Sequence, residues 1–155
     1  HILDGASAPF VFDHAVLAST VRLVGQSGAA ALRAPDSARL FEFRAGACMV
    51  TMQNLTLSAP VLVADASLRL AGCRFEWSFA HLGGAIMMTA GSIIAEDTAF
   101  THNKAQSGGA LYASGGTASF LRCLFEQNSA TLSGGAITMN ATHTGVTLAD
   151  GSLLI

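Results

Sequence analysis

Short stretches of strict alternation between apolar and polar residues run along this chain. Leu68 and Leu70 flank Arg69, Cys73 and Phe75 flank Arg74, and Phe41 and Phe43 flank Glu42. A period of two puts every second side chain on one face of an extended strand, so each stretch predicts a short β-strand with one buried face. Ala71-Gly72, Gly91-Ser92 and Gly115-Gly116 punctuate the stretches as turns. Apolar residues do not recur at helical spacing over any long run. The single place that predicts a short helix is Ala29 to Arg33, ahead of Pro35.

The strands repeat. Phe75, Phe100 and Phe125 are each 25 residues apart, and Gly-Gly-Ala triplets start at Gly83, Gly108 and Gly134. Two residues before each Phe stands Cys73, Thr98 or Cys123. Weaker copies flank this region. Val50 to Leu57 aligns with Leu68 to Phe75, and Val146 to Leu153 fits the same frame. Phe41-Glu42-Phe43 and Leu62-Val63-Ala64 take the place of Ile86-Met87-Met88, with Phe10-Val11-Phe12 as an earlier copy. A period near 25 with period-2 strands inside it predicts an all-β solenoid, the right-handed single-stranded parallel β-helix. The expectation is one unit over residues 1–155 with five to six coils, less regular over 1–67 and regular over 68–155. His1 and the apolar run Leu153-Leu154-Ile155 suggest a piece truncated at both ends.

Coils stacked about 4.8 Å apart place equivalent residues above one another. Ile86, Leu111 and Ile137 then form one internal column, Phe75, Phe100 and Phe125 a second, and Cys73, Thr98 and Cys123 a third. The glycine pairs Gly83-Gly84, Gly108-Gly109 and Gly134-Gly135 sit where a loop re-enters a strand and a neighbouring coil approaches closely. Asn103 and Asn128 each follow their Phe by three residues, so their amides predict a hydrogen-bonded ladder that begins imperfectly at Ser78.

Phe100-Thr101-His102-Asn103 followed by Gly108-Gly109-Ala110-Leu111, and Phe125-Glu126-Gln127-Asn128 followed by Gly134-Gly135-Ala136-Ile137, resemble the paired FxxN and GGA[ILV] motifs of the polymorphic outer-membrane protein repeat. The copy from Phe75 to Ile86 keeps the second motif and departs from the first. This resemblance spans about residues 68–140. It implies a β-helical passenger region of the pectin-lyase-like superfamily on a surface or secreted protein, often an adhesin. It further implies an extracellular or cell-surface location, with a host-cell protein or glycan as partner.

Composition narrows the chemistry. Apolar residues make up 51% of the chain and charged residues 12%, which suits a continuous core rather than disorder. Six Asp and four Glu against seven Arg and one Lys give a net charge of −2. No basic stripe offers a nucleic-acid surface. Trp77 to Ala95 carries no Asp, Glu, Lys or Arg and is long enough to cross a bilayer. Its aligned counterparts hold Lys104 and Glu126, so it reads as core, not as a membrane insertion. Cys48, Cys73 and Cys123 lack metal or disulfide spacing and read as buried free thiols.

No catalytic set, metal site or cofactor motif emerges. His14, His81, His102 and His143 are scattered without ligand spacing. Glu76 and Glu126 lie two coils apart, about 9.6 Å, near the limit for an inverting carboxylate pair. They keep open a second reading, a fragment of a carbohydrate-active β-helix enzyme. Glu96-Asp97 point to opposite faces of a strand. Asn54-Leu55-Thr56 and Asn140-Ala141-Thr142 are glycosylation sequons. The candidate ligand-binding feature is an outward ladder of Trp77, His102 and Gln127, with His81, Gln106 and Thr131 in another. Packing of Trp77 beneath its own loop with Phe79 is the alternative for that side chain.

Overall fold

The computed structural model describes residues 10–12, 21–25, 30–33, 39–44, 49–140 and 144–155. Among them every regular element is a β-strand, and every strand pair is parallel. Ten strands form the first sheet, six the second and two the third. The chain is a parallel β-solenoid whose strands recur in order from coil to coil.

Each coil visits three positions. The first is Phe10–Phe12, Phe41–Arg44, the start of Val61–Ala71, the start of Ile86–Glu96, Leu111–Ala113 and Ile137–Met139. The second is Val21–Val24, Met49–Gln53, the ends of those two long strands, Thr117–Leu121 and Gly145–Ala149. The third is Ala30–Arg33, Leu55–Ser58, Arg74–Glu76, Ala99–Thr101, Leu124–Glu126 and Leu153–Leu154. Between the first two positions the strand bends at Asp65 (φ 65°), Gly91 (φ 95°) and Gly116 (φ 86°).

The register follows the repeat. Phe75, Phe100 and Phe125 pair directly, as do Ile86, Leu111 and Ile137. The Phe rings stack nearly parallel, with centroids 5.1 and 4.8 Å apart, and Phe120 meets both Phe100 and Phe125 edge-on. Leu57 and Leu154 continue the Phe column. Leu57 and the three Phe are fully buried, each stabilising the rod by about 1.5–3 kcal/mol, whereas Leu154 stays 53% exposed. Cys73, Thr98 and Cys123 are buried beside this column, and both thiols are free.

Four details differ from the sequence reading. Ala30–Arg33 is a strand paired with Leu55–Ser58, not a helix. Cross-coil hydrogen bonds outweigh the small local preference of an Ala-rich segment. The residues above Ile86-Met87-Met88 are Val61-Leu62-Val63, one position earlier than expected. At the other end Leu153 pairs with Leu124 and Leu154 with Phe125, because the turn through Asp150 and Gly151 holds one extra residue. Trp77 does not pack beneath its loop: it is 63% exposed, and Phe79 beside it is 54% exposed.

Cys48, His14, His143, Ala29 and the end of the second sequon lie outside the described residues. No helix among the described residues is long and apolar enough to cross a membrane. The charge-free run from Trp77 to Ala95 is a loop followed by a strand of the first sheet.

Candidate interaction surface

The third strand position is followed by a loop whose length changes along the rod. From Phe75 to Ile86 the chain spends residues 76–85, and from Phe100 to Leu111 residues 101–110. From Phe125 to Ile137 it spends residues 126–136. One coil earlier, Leu57 reaches Val61 through Ser58, Ala59 and Pro60 alone. The three long loops stack into a wing. Lys104–Ser107 pairs in parallel with Ser129–Ser133, and Phe79 and Leu82 bridge to Lys104 and Ser107.

Trp77, His102 and Gln127 open the three loops. All three are left-handed, with φ of 57°, 56° and 52°. L-residues enter that region at a cost of roughly 1–2 kcal/mol each. The backbone recovers part of it by donating along the rod, Trp77 N–H to Thr101 O and His102 N–H to Glu126 O. The side chains of Trp77 and His102 leave the corner outward and overlie one another. The indole of Trp77 and the imidazole of His102 are stacked 4.2 Å apart at 20°.

Beneath this corner the Asn ladder holds the loops down. Asn103, fully buried, donates through Nδ2 to Phe75 O (3.0 Å) and to Asn128 Oδ1 (3.0 Å), and its Oδ1 accepts from Ser78 N–H (3.1 Å). Asn128 repeats the pattern by donating to Phe100 O at 2.7 Å. The ladder ends at Ser78, whose buried hydroxyl has no hydrogen-bond partner. The coil above has already turned there, and its Pro60 carries no N–H.

Beyond the corner, outward residues alternate with buried or half-buried ones in the first two loops, whereas the third is exposed throughout from Thr131 to Gly135, Leu132 included. Trp77, Phe79 and His81 form the exposed row of the first loop. Lys104 and Gln106 follow half-buried His102 in the second, and Ser129 and Thr131 follow Gln127 in the third. The sequence reading gave Phe79 only as a packing partner of Trp77 and gave Lys104 no part in this surface. Their two-residue spacing from Trp77 and His102 was the available signal.

The opposite corner carries the charge. A groove of about 390 Å³ lies among Asn54, Gly72, Arg74 and Asp97. Gly72 leaves a gap there in a corner otherwise built from left-handed Asn54, Asp97 and Arg122. Arg122 grips Asp97 with two hydrogen bonds of 2.7 and 3.0 Å. Those bonds hold the Asp97 carboxyl below the usual carboxylate range and raise the Arg122 guanidinium. Arg69 pairs with Glu96 at 3.0 Å, and Arg39 and Arg44 both engage buried Glu42. Glu76 and Glu126 do lie two rungs apart, with Thr101 between them in register. No group of three or more His, Cys, Asp or Glu able to hold a metal ion occurs among the described residues.

The fold and this surface define a class: a parallel β-solenoid with an internal Asn ladder, stacked Phe rings and a laterally stacked loop wing. Within it, residues 97–114 and 122–138 match the family model described as the Chlamydia polymorphic membrane protein (Pmp) repeat. Those two segments hold the second and third loops of the wing and both ladder asparagines. No curated protein and no solved structure matches the chain.

Proposed function

We propose that this chain is a non-catalytic segment of an extracellular or outer-membrane surface protein that mediates adhesion. The wing headed by Trp77, His102 and Gln127 makes the contact. The observation that carries this reading is the exposed Trp77 indole stacked on His102. A large aromatic held in solvent by a rigid backbone corner is matched to a ligand better than to the core. The match of two coils to a repeat of membrane proteins supports the surface location.

The competing class is a polysaccharide-cleaving enzyme on the same fold. Such an enzyme uses carboxylates free to exchange protons. Here Glu42, Glu96 and Asp97 are each engaged by arginine, which supports the non-catalytic reading. Only the Glu76 and Glu126 register favours the other.

Beads coated with the purified chain should attach to cultured host cells. Trp77→Ala together with His102→Ala should reduce attachment to near background while circular dichroism stays unchanged. Equal attachment by the double variant, or release of reducing ends from a polysaccharide panel, would overturn the proposal.

A further inference from the structure

Trp77 presents one face to His102, is 63% exposed, and among the described residues has no other ring stacked on it. The cause is the step in the rod: the preceding coil turns from Leu57 to Val61 through three residues and builds no loop to cover the indole. Phe79 lies two residues further along the same uncovered row, half exposed, with His81 after it. One rung below, about 4.8 Å away, exposed Lys104 and Gln106 stand beneath Phe79 and His81. Lys104 forms no ion pair among the described residues. The platform thus combines two flat aromatic faces with amide, imidazole and ammonium donors. Glu76, next to Trp77 in the chain, is half-buried, and the exposed aliphatic Leu132 lies on the third loop, one coil beyond Lys104 and Gln106.

The geometry points to a glycan as the ligand of this wing. A pyranose ring has one face of C–H bonds, which packs on the electron-rich face of an indole. Its rim of hydroxyls needs fixed donors and acceptors at the edge of that aromatic. The exposed indole of Trp77 supplies the first, and Gln106, His81 and Lys104 supply the second. Phe79, one side chain along the row, takes the neighbouring sugar. A glycan chain therefore lies along the step, across the top of the wing, with its polar edge toward the second loop. This assignment rests on the adhesive reading and names the class of molecule contacted.

Trp77 is the only tryptophan in the chain, so its fluorescence reports the site directly. The 155-residue chain is applied to an array of immobilised defined oligosaccharides. The best binder is then titrated in solution while Trp77 emission and its quenching by acrylamide are followed. The expected result is a saturable blue shift with protection from the quencher. Phe79→Ala should weaken binding at least tenfold, Lys104→Ala several-fold, and Trp77→Ala should abolish it on the array. Trp77→Phe should retain part of the affinity, which separates stacking from a folding defect.

Binding to no oligosaccharide on the array, or binding that leaves Trp77 emission unmoved, overturns the assignment. If coated beads attach to cells and glycosidase treatment of the cells leaves attachment intact, the ligand is a protein: the glycan assignment fails and adhesion stands. If the array binds while beads do not attach, adhesion fails and the glycan platform stands.

Discussion

The side-chain amide of Asn103 spans three coils: its Nδ2 reaches back to Phe75 O and forward to Asn128 Oδ1, each at 3.0 Å. It is fully buried, and its oxygen accepts from Ser78 N–H. Asn103→Ala strands a buried carbonyl and a buried N–H at once. We expect a loss of about 3 kcal/mol, read from urea denaturation. Asn103→Asp should cost at least as much at neutral pH, because a carboxylate would face Phe75 O and Asn128 Oδ1. A loss below about 1 kcal/mol for either would show that the ladder is incidental to stability.

Phe100 lies between Phe75 and Phe125 in one stacked column. Phe100→Ala removes the middle ring and should destabilise by about 3–5 kcal/mol. Phe100→Leu should cost only about 1–1.5 kcal/mol, since Leu57 and Leu154 already occupy this column in other coils. Thermal unfolding of the two variants should separate them clearly.

Gly109 and Gly135 hold the same place in successive repeats, yet they should respond differently to alanine. A Cβ on Gly109 would lie 2.0 Å from Gly135 O and 2.6 Å from Ser129 N. On Gly135 the nearest atom is Asn128 O at 3.5 Å. In the 155-residue chain Gly109→Ala should therefore cost more than about 3 kcal/mol, and Gly135→Ala less than about 0.5 kcal/mol. Equal melting temperatures for the two would contradict this stacking of the wing.

Cys73 and Cys123 should react slowly with thiol reagents, and they should do so at the rate of unfolding. Burial pushes both thiols up from their ordinary value, against smaller opposing effects of nearby backbone hydrogen bonds. A folded value above the unfolded one means stability is fully present below the unfolded thiol value, about 8.5, and declines as pH rises beyond it. Cys73→Ala with Cys123→Ala should flatten that alkaline limb. Rapid labelling of Cys73 and Cys123 in the native chain, or a bridge between these two thiols, would show that the coil register is wrong.

The sequence by itself determined the solenoid, its period and the register of its best coils. Strand and turn motifs that recur about every 25 residues put Phe75, Phe100 and Phe125 into one column, and a period of two then dictates which neighbours face inward. The Asn ladder was legible for the same reason. Tertiary structure decided the points that depend on how one coil meets the next. Ala30–Arg33 became a strand because Leu55–Ser58 offered it a partner. Leu154, not Leu153, entered the Phe column because a single added turn residue shifts everything after it. The exposure of Trp77 was decided by the short turn from Leu57 to Val61, since a side chain on a solenoid is covered only by the coil stacked on it. No pattern within the Trp77 repeat records that, so the candidate site became visible only with the coils assembled.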